Sequence, residues 1–441
     1  MKDFAASKDP AVQAQLDRLA ALSLPQGRIG LEVIRELLTR LGEPQKHLPP
    51  VFHVAGTNGK GSTCAYLRAM LEAEGLVVHV ATKPHLVRYN ERIRVSGALI
   101  SDQMLAALLA EVLDTAEDLS PSFFEVTTAA TFLAFAREPA DACVIEVGLG
   151  GRFDATNVLE RPAACGIASL GIDHEAFLLV PEEGAPEDPL VRIAFEKAGI
   201  ARPGSPMVTQ AYRRAMELEI ERICGLAGTP LHMRGHDWWA EVDEASIAYR
   251  DKHGPLTLPR PQMLGLHQAD NAALAVAMLR HQDMVSVSAA SMAEGIRAAR
   301  WPARMQLLGA GPLTALAPGR EIWLDGGHNA DAGQALARHF AKGDGSPVSE
   351  SERLHLIIGM LANRDVGAIM DPLRPHLASI NAVPISGSDA HGAEAYSGRA
   401  EWADSVQQAL GRLPDDGLPV LIAGSLYLAG KVLEANEEVP D

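Results

Sequence analysis

Residues 51–63 read VFHVAGTNGKGST, an apolar run followed by a loop with three glycines and a lysine. A buried strand that ends in glycines and hands over to a helix sets successive backbone N–H groups around one point, which makes a cradle for an anion. The stretch departs from the Walker A pattern in two places. That pattern wants Gly at position 54, where Val54 stands, and Ser or Thr directly after the lysine, where Gly61 intervenes. Lys60 would add a mobile positive charge for terminal phosphates, and Ser62 or Thr63 could offer magnesium a hydroxyl. Read alone, the loop is open to two interpretations, a nucleotide site or a glycine turn without a ligand.

Working outward, TCAYLRAMLEAEG (63–75) sets Leu67, Met70 and Leu71 at helical spacing and stops at Gly75. LVVHVAT (76–82) reads as the next strand. Ser101 and Asp102 are N-cap candidates for a helix through Met104, Leu105, Leu108, Leu109 and Val112. A second helix is expected around 123–137, with buried strands at ACVIEVG (142–148) and ACGIAS (164–169). Strands separated by helices predict an α/β fold, a P-loop parallel sheet with helices on both faces. PEEGAPEDPL (181–190) is rich in proline and acid and reads as an exposed insertion. Residues 228–262 are polar and turn-rich, a small β excursion. A fresh α/β pattern follows WPARMQLLG (301–309). Its pieces are EIWLDGG (321–327), a helix at 331–341, LHLIIG (354–359), and PVLIAG (419–424) with a helix after it. Two domains are therefore expected, 1–299 and a smaller Rossmann-like 300–441, with 341–352 as a loose loop.

At 441 residues, with 39 basic and 56 acidic side chains, the chain carries a net charge of −17 and no long basic run. That balance argues against nucleic acid and anionic membrane as partners. No apolar stretch approaches membrane-spanning length, and MKDFAASKDPAVQAQLDRL has no signal-peptide core. Cys64, Cys143, Cys165 and Cys224 are scattered without metal spacing and read as buried reduced thiols, which predicts a cytoplasmic protein.

Other stretches bear chemistry. In EVGLGGRFDATN (146–157), Glu146 ends a buried strand where an open parallel sheet places its ligands, so it is a magnesium-ligand candidate; capping the following turn is the plainer alternative. SLGIDHEAF (169–177) offers Asp173 and His174, which could join Glu146 on one rim, although an Asp-His pair is commonly structural. In RIAFEKAGI (192–200), Lys197 sits in an otherwise apolar helix and by itself reads as solvated or salt-bridged. DGGHN (325–329) adds Asp325 and His328, while Asn271 and Arg304 carry no signal of their own.

Taken in order, HVAGTNGKGST, PHLVRYNERI, FFEVTTAATFLAF, EVGLGGRFDATN, LGIDHEAF, IAFEKAGI, LGLHQADNAALA, WPARMQ, DGGHNADA and AGSLYLAG resemble the folylpolyglutamate synthase/dihydrofolate synthase family of the Mur ligase superfamily. The resemblance spans most of the chain, and its ordered set is far more specific than any one piece. It implies that Gly56, Thr57, Asn58, Gly59, Lys60, Gly61 and Ser62 hold ATP phosphates, with Asn271 at the adenine. Arg304, Asp325 and His328 would reach the nucleotide from the second domain. It implies two magnesium sites using Ser62, Glu146, His174 and Lys197, the last as a carbamate, and it makes Lys60, His174 and Lys197 the catalytic set. Leu31, Phe124, Asp154 and Ala155 fall in segments that line the pterin site of bifunctional members.

Two departures matter. The family usually has Ser where Lys83 stands in KPHL (83–86), and that Ser helps bind the first magnesium. A protonated lysine cannot ligate a metal. Either its ammonium partly replaces the cation, or Lys83 turns away and water completes the shell; the first metal site rests on which. DGGHNA also replaces the commoner DGAHNP, keeping Asp325 and His328. The activity implied is ligation of L-glutamate to dihydropteroate and to reduced folates through an acyl phosphate, by a monomer. The rivals are a monofunctional folylpolyglutamate synthase, a Mur-type ligase of cell-wall precursors, a non-ligating P-loop nucleotide-binding protein, and a folate-binding protein without catalysis.

Overall fold

A computed structural model describes residues 6–22, 30–341 and 348–441. The chain divides into two compact units. The first comprises residues 1–84, 88–262 and 266–300, and the second comprises 85–87, 263–265 and 301–441.

The first unit is built on β1 (Val51–Ala55), β2 (Val78–Ala81), β3 (Ile93–Val95), β4 (Ala98–Leu99), β5 (Ala142–Glu146), β6 (Ala164–Ile167), β7 (Met207–Thr209) and β8 (Leu231–Met233). They form one sheet in the order β4-β3-β2-β5-β1-β6-β7-β8, parallel except where β3 meets β2 and β4. β1, β5 and β6 are buried along their whole length, because both faces are covered. Alternation along the strands assigns the faces. Val51, Cys143 and Ile145 enter an apolar core with the Asp102–Thr115 and Phe123–Arg137 helices. Ala55, Val147, Cys165 and Ile167 meet the Pro189–Ala198 and Arg214–Ala227 helices. On the opposite face Gly166 leaves room for the Leu266–Arg280 helix, since a Cβ there would lie 2.3 Å from Met278 Sδ.

Ser101 caps the Asp102–Thr115 helix by accepting from Met104 N–H, while Asp102 accepts from Asn90 instead. The β excursion is narrower than the sequence suggests. Its antiparallel part is β9 (Trp238–Val242), β10 (Ser246–Asp251) and β11 (Gly254–Pro259), whereas β8 extends the main sheet by pairing in parallel with β7. Among the described residues, no helix is long and apolar enough to cross a membrane.

The second unit contains β12 (Gln306–Leu307), β13 (Ile322–Leu324), β14 (Leu354–Ile358), β15 (Leu377–Ala382), β16 (Glu401–Trp402) and β17 (Val420–Ala423). Their order is β12-β13-β17-β14-β15-β16, parallel but for β12. Val420 and Ile422 face one apolar core and Leu421 and Ala423 the other, so helices cover both sides. Of the loop expected at 341–352, residues 342–347 lie outside the described residues; Glu350–Glu352 forms a short 3-10 turn capped by Ser349.

Candidate active site

β1 lies between β5 and β6, so the chain leaves their carboxyl ends in diverging directions, the place where open parallel sheets bind ligands. The loops that emerge meet in a cleft with about 260 Å³ of empty space. Gly56, Thr57 and Lys60 line it from β1, residues 147–150 from β5, and Asp173, His174 and Leu178 from the stretch after β6, with Lys197 closing it.

The glycine loop is shaped by the backbone after β6. Thr57 N–H donates to Ser169 O at 2.7 Å, its hydroxyl donates to Gly171 O at 2.8 Å, and Ser169 Oγ donates to Asn58 O at 3.1 Å. Gly59 is the N-cap of the Lys60–Ala73 helix with φ +83°, in the left-handed region. A Cβ there would lie 2.4 Å from Asn271 Oδ1, so Asn271, buried on its own helix, sits directly against the loop. Lys60 Nζ donates to Gly56 O at 3.0 Å and Thr57 O at 3.2 Å, which folds its charge back over the cradle. Gly61 follows in the first turn. Thr63 donates its hydroxyl hydrogen to Gly59 O, so of the two hydroxyls Ser62, also buried, is the one not used by the helix start.

Across the cleft, Lys197 is buried, and burial together with the charge of Lys60 pulls its pKa down to about 7. Asp173 accepts from His174 N–H at 2.7 Å, and their side chains stand 3.9 Å apart. His174 has φ +53°, a conformation a side chain rarely adopts. The 148–151 turn is pressed on the Lys197 helix, where a Cβ on Gly151 would lie 2.7 Å from Glu196 O.

Glu146 is buried beside Val54 in register and accepts the Lys83 backbone N–H at 3.0 Å. It is not among the residues lining the cleft, and neither is Lys83. The Lys83 ammonium lies 3.5 Å from Thr128 Oγ1. Burial lowers its pKa, and the nearby Asp154 opposes this. Asp154 accepts from the amides of Gly148, Leu149 and Thr156 at 2.9–3.0 Å and from the Thr156 hydroxyl at 2.5 Å. Burial alone would raise its carboxyl, but the charge of Lys83 and these hydrogen bonds hold it below the usual range. Because the Thr156 hydrogen goes to Asp154, His53 Nε2, 2.8 Å away, must donate to Thr156; burial pushes the His53 pKa down to about 3 and keeps the ring neutral. Leu31 and Ala155 belong to one apolar core, and Phe124 shows its ring at the surface, edge-on to Phe123.

In the second unit, Asp325 is buried and accepts from Met305 N–H at 2.9 Å and Gly327 N–H at 2.7 Å. His328 Nδ1 lies 2.9 Å from Gly326 O, and Arg304 reaches the same turn, 2.9 Å from where a Gly326 Cβ would be. The structure thus gathers Gly56, Thr57, Lys60, His174 and Lys197 in one cleft, and Arg304, Asp325 and His328 at one turn. Sequence reasoning passed over Leu178, His53, Thr128 and Thr156. Apolar Leu178 carries no chemical signal, His53 and Thr128 act through side chains distant in sequence, and Thr156 joins Asp154, two residues back, to the distant His53.

A glycine cradle at the switch point of a parallel sheet, faced by a buried lysine and an Asp-His pair, defines a mononucleotide-binding α/β protein of the P-loop kind. No family model matches the chain. It is 33% identical over 413 residues to the dihydrofolate synthase/folylpolyglutamate synthase of Escherichia coli (strain K12), across 92% of this chain and 91% of that one. Among solved structures, E. coli FolC in complex with DHPP and ADP superposes with a TM-score of 0.84 at 30% identity, covering 96% of this chain and 97% of that one. A bifunctional folylpolyglutamate synthase/dihydrofolate synthase with Mn, AMPPNP and L-glutamate bound gives 0.81 at 28% identity, covering 98% and 99%. The chain belongs to the dihydrofolate synthase/folylpolyglutamate synthase family.

Proposed function

We propose that this protein is an ATP-dependent ligase that joins L-glutamate to dihydropteroate, forming dihydrofolate, and to reduced folates, extending their glutamate chains. The observation that carries this reading is the single cleft in which Gly56, Thr57 and Lys60 face Asp173, His174 and Lys197.

A carboxylate is a poor acyl donor because its oxygen is a poor leaving group. Transfer of the ATP γ-phosphoryl group to that oxygen makes an acyl phosphate. The α-amine of glutamate adds to the carbonyl and gives up a proton, the C–O bond breaks, and phosphate departs with the electron pair and takes up that proton. In this chemistry the glycine-loop amides and Lys60 hold the ATP phosphates, and Asn271 lies beside the loop for the base. Asp154, Phe124, Leu31 and Ala155 belong to the pterin side.

Magnesium would neutralise charge on the transferring phosphoryl group. Among the described residues, no three His, Cys, Asp or Glu side chains gather into a metal cluster. Magnesium is commonly held by one or two protein ligands together with substrate phosphate oxygens. Ser62, Glu146, His174 and Lys197 as a carbamate are the residues that would hold two ions. The Lys197 pKa of about 7 supports the last role, since only a neutral amine adds to CO2. The Lys83 ammonium beside Thr128 supports the reading in which Lys83 turns away from the first ion. All four cysteines are buried free thiols, which favours the cytoplasm, and we take the working unit to be a monomer.

The test is product mass and phosphate release with dihydropteroate or a tetrahydrofolate as acceptor, with and without glutamate. Phosphate release that needs both acid and glutamate, with a mass gain of one glutamyl residue, supports the ligase. Equal release without either sinks it and leaves a P-loop ATPase. Product from tetrahydrofolate alone restricts the enzyme to folylpolyglutamate synthesis.

A further inference from the structure

The acidic stretch 181–190 is exposed at six of its ten residues, as expected, but it is tied down at Glu182. Glu182 is largely covered and grips two arginines. Its Oε1 takes Arg152 Nη1 at 2.9 Å, and its Oε2 takes Arg152 Nη2 at 2.5 Å and Arg192 Nη2 at 2.8 Å. The same arginines share Glu196, at 2.8 Å from Arg152 and 3.1 Å from Arg192. Arg152 is wedged between the rings of Phe153 and Phe195, at 4.3 and 4.6 Å. Two guanidinium groups and two carboxylates balance in charge, and all but Glu182 sit on or next to elements of the cleft wall. Arg152 follows the 148–151 turn, while Arg192 and Glu196 lie on the helix that carries Lys197.

The grip reaches the cleft through Leu178. Arg192 Nε donates to Leu178 O at 3.2 Å, and Leu178 lies buried over Gly150, its Cδ2 2.9 Å from where a Gly150 Cβ would stand. Within the Glu175–Leu178 turn the amides of Phe177 and Leu178 donate to His174 O and that of Leu179 to Glu175 O, while Phe177 and Val180 remain exposed. Without Glu182, two arginines would share one carboxylate, and the segment 175–182 would lose the charged anchor at its far end.

We propose that Glu182 is a positioning residue for the ligation: it fastens the 175–182 segment so that Leu178 covers the phosphate cleft and keeps water from the activated acid. This rests on the ligase reading above. When the cover opens, water adds to the acyl carbonyl and the C–O bond to phosphate breaks. The products are the starting carboxylate and inorganic phosphate, with one of water's protons on phosphate and the other released. The loss is therefore uncoupling, ATP consumed without amide, rather than a simple fall in rate.

The experiment compares the full-length protein with Glu182→Gln, Glu182→Asp and Leu178→Ala, by amide hydrogen exchange and by phosphate released per amide formed. In Glu182→Gln, amides 177–179 should exchange at least about tenfold faster, as expected for a local opening made about 1.4 kcal/mol easier. The phosphate-to-amide ratio should rise from one to well above it, with kcat for phosphate release held. Glu182→Asp, which keeps the charge, should restore part of both. A folded Glu182→Gln with unchanged exchange and a ratio of one overturns the proposal. If Glu182→Gln does not fold, Leu178→Ala decides, since it removes the cover without touching the ion pairs, and a ratio of one there also overturns it. A wild-type protein that makes no amide defeats the ligase reading, and the exchange comparison then decides the fastening separately.

Discussion

Lys197 should take up CO2 near neutral pH, and the structure fixes how readily. An ordinary lysine has a pKa of 10.5, so at pH 7 about one amine in three thousand is neutral; at the value of about 7 for Lys197, about half are. Burial is the main cause and the charge of Lys60 the next, with Asp173, Asp154 and Glu196 acting the other way. Carbamate formation consumes the neutral amine, so occupancy at fixed dissolved CO2 should rise as pH climbs through about 7. The same shift acts on stability with a defined sign. Between about pH 7 and 10.5 the unfolded chain holds a proton that the folded chain has lost, so this group's contribution grows with pH across that window.

The assay is carbon-13 NMR of protein equilibrated with labelled bicarbonate, beside ligase rates in CO2-depleted and CO2-replete buffer. A carbamate signal absent from Lys197→Ala is expected, along with rates that fall on depletion and recover with bicarbonate. Lys60→Met should move the midpoint of the NMR titration upward, because it removes a charge that disfavours the protonated amine. If Lys197 supplies a metal ligand, Lys197→Ala should cut kcat/KM by at least about a hundredfold. No carbamate at pH 8 and a rate indifferent to CO2 would refute this account of Lys197.

The remaining predictions concern the cradle and its flank. Gly59→Ala forces a side chain to φ +83° and onto Asn271 Oδ1, so it should cost about 1–2 kcal/mol in a denaturant melt and weaken ATP binding by calorimetry. Lys83→Ser keeps the backbone N–H that holds Glu146 but removes both the long hydrogen bond to Thr128 and the charge that faces Asp154; stability should fall by about 1–3 kcal/mol, with the Asp154 carboxyl titrating higher, and ligase activity should persist or rise. Asp154→Asn cannot accept from all four donors around both oxygens and should cost about 3 kcal/mol. In the parent protein, the stability due to Asp154 is present above the ordinary carboxylate pKa of 3.8 and lost as pH falls through its lower folded value, a slope the Asn variant should lack.

The parts legible in the sequence are those set by local pattern. VFHVA, ACVIE and ACGI are near-continuous apolar runs, interrupted only by His53 and Glu146, because parallel strands are covered on both faces, and they appear as the three central strands. Ser101 is readable as a cap because its oxygen meets an amide three residues on. β8 was not legible, being only three residues with a polar His232 in the middle, and it is made a strand by its partner β7. The cleft followed the same division. Glycines with positive φ and a lysine at a strand end announce a cradle, whereas Lys83 lies between partners far away in sequence, Thr128 and Asp154.

Glu182 marks where pattern stops being informative. Its neighbours are prolines, glycine and acids, so composition places it in solvent. Its partners lie 30 residues back, at Arg152, and 10 ahead, at Arg192, and neither spacing is a local one. Each of the four charges, taken on its own, reads as a solvated side chain, and together they form a neutral group between the turn after β5 and the Lys197 helix. Exposed pairs of this kind contribute little, but a covered set loses more when one member is removed, because the remainder is left unbalanced away from water. Removing Glu182 leaves Arg152 and Arg192 with Glu196 alone, an excess positive charge against the helix that carries Lys197. The anchor and the reactive lysine are therefore linked through Glu196, the residue next to Lys197, and a disturbance at 182 has a short physical route to the cleft.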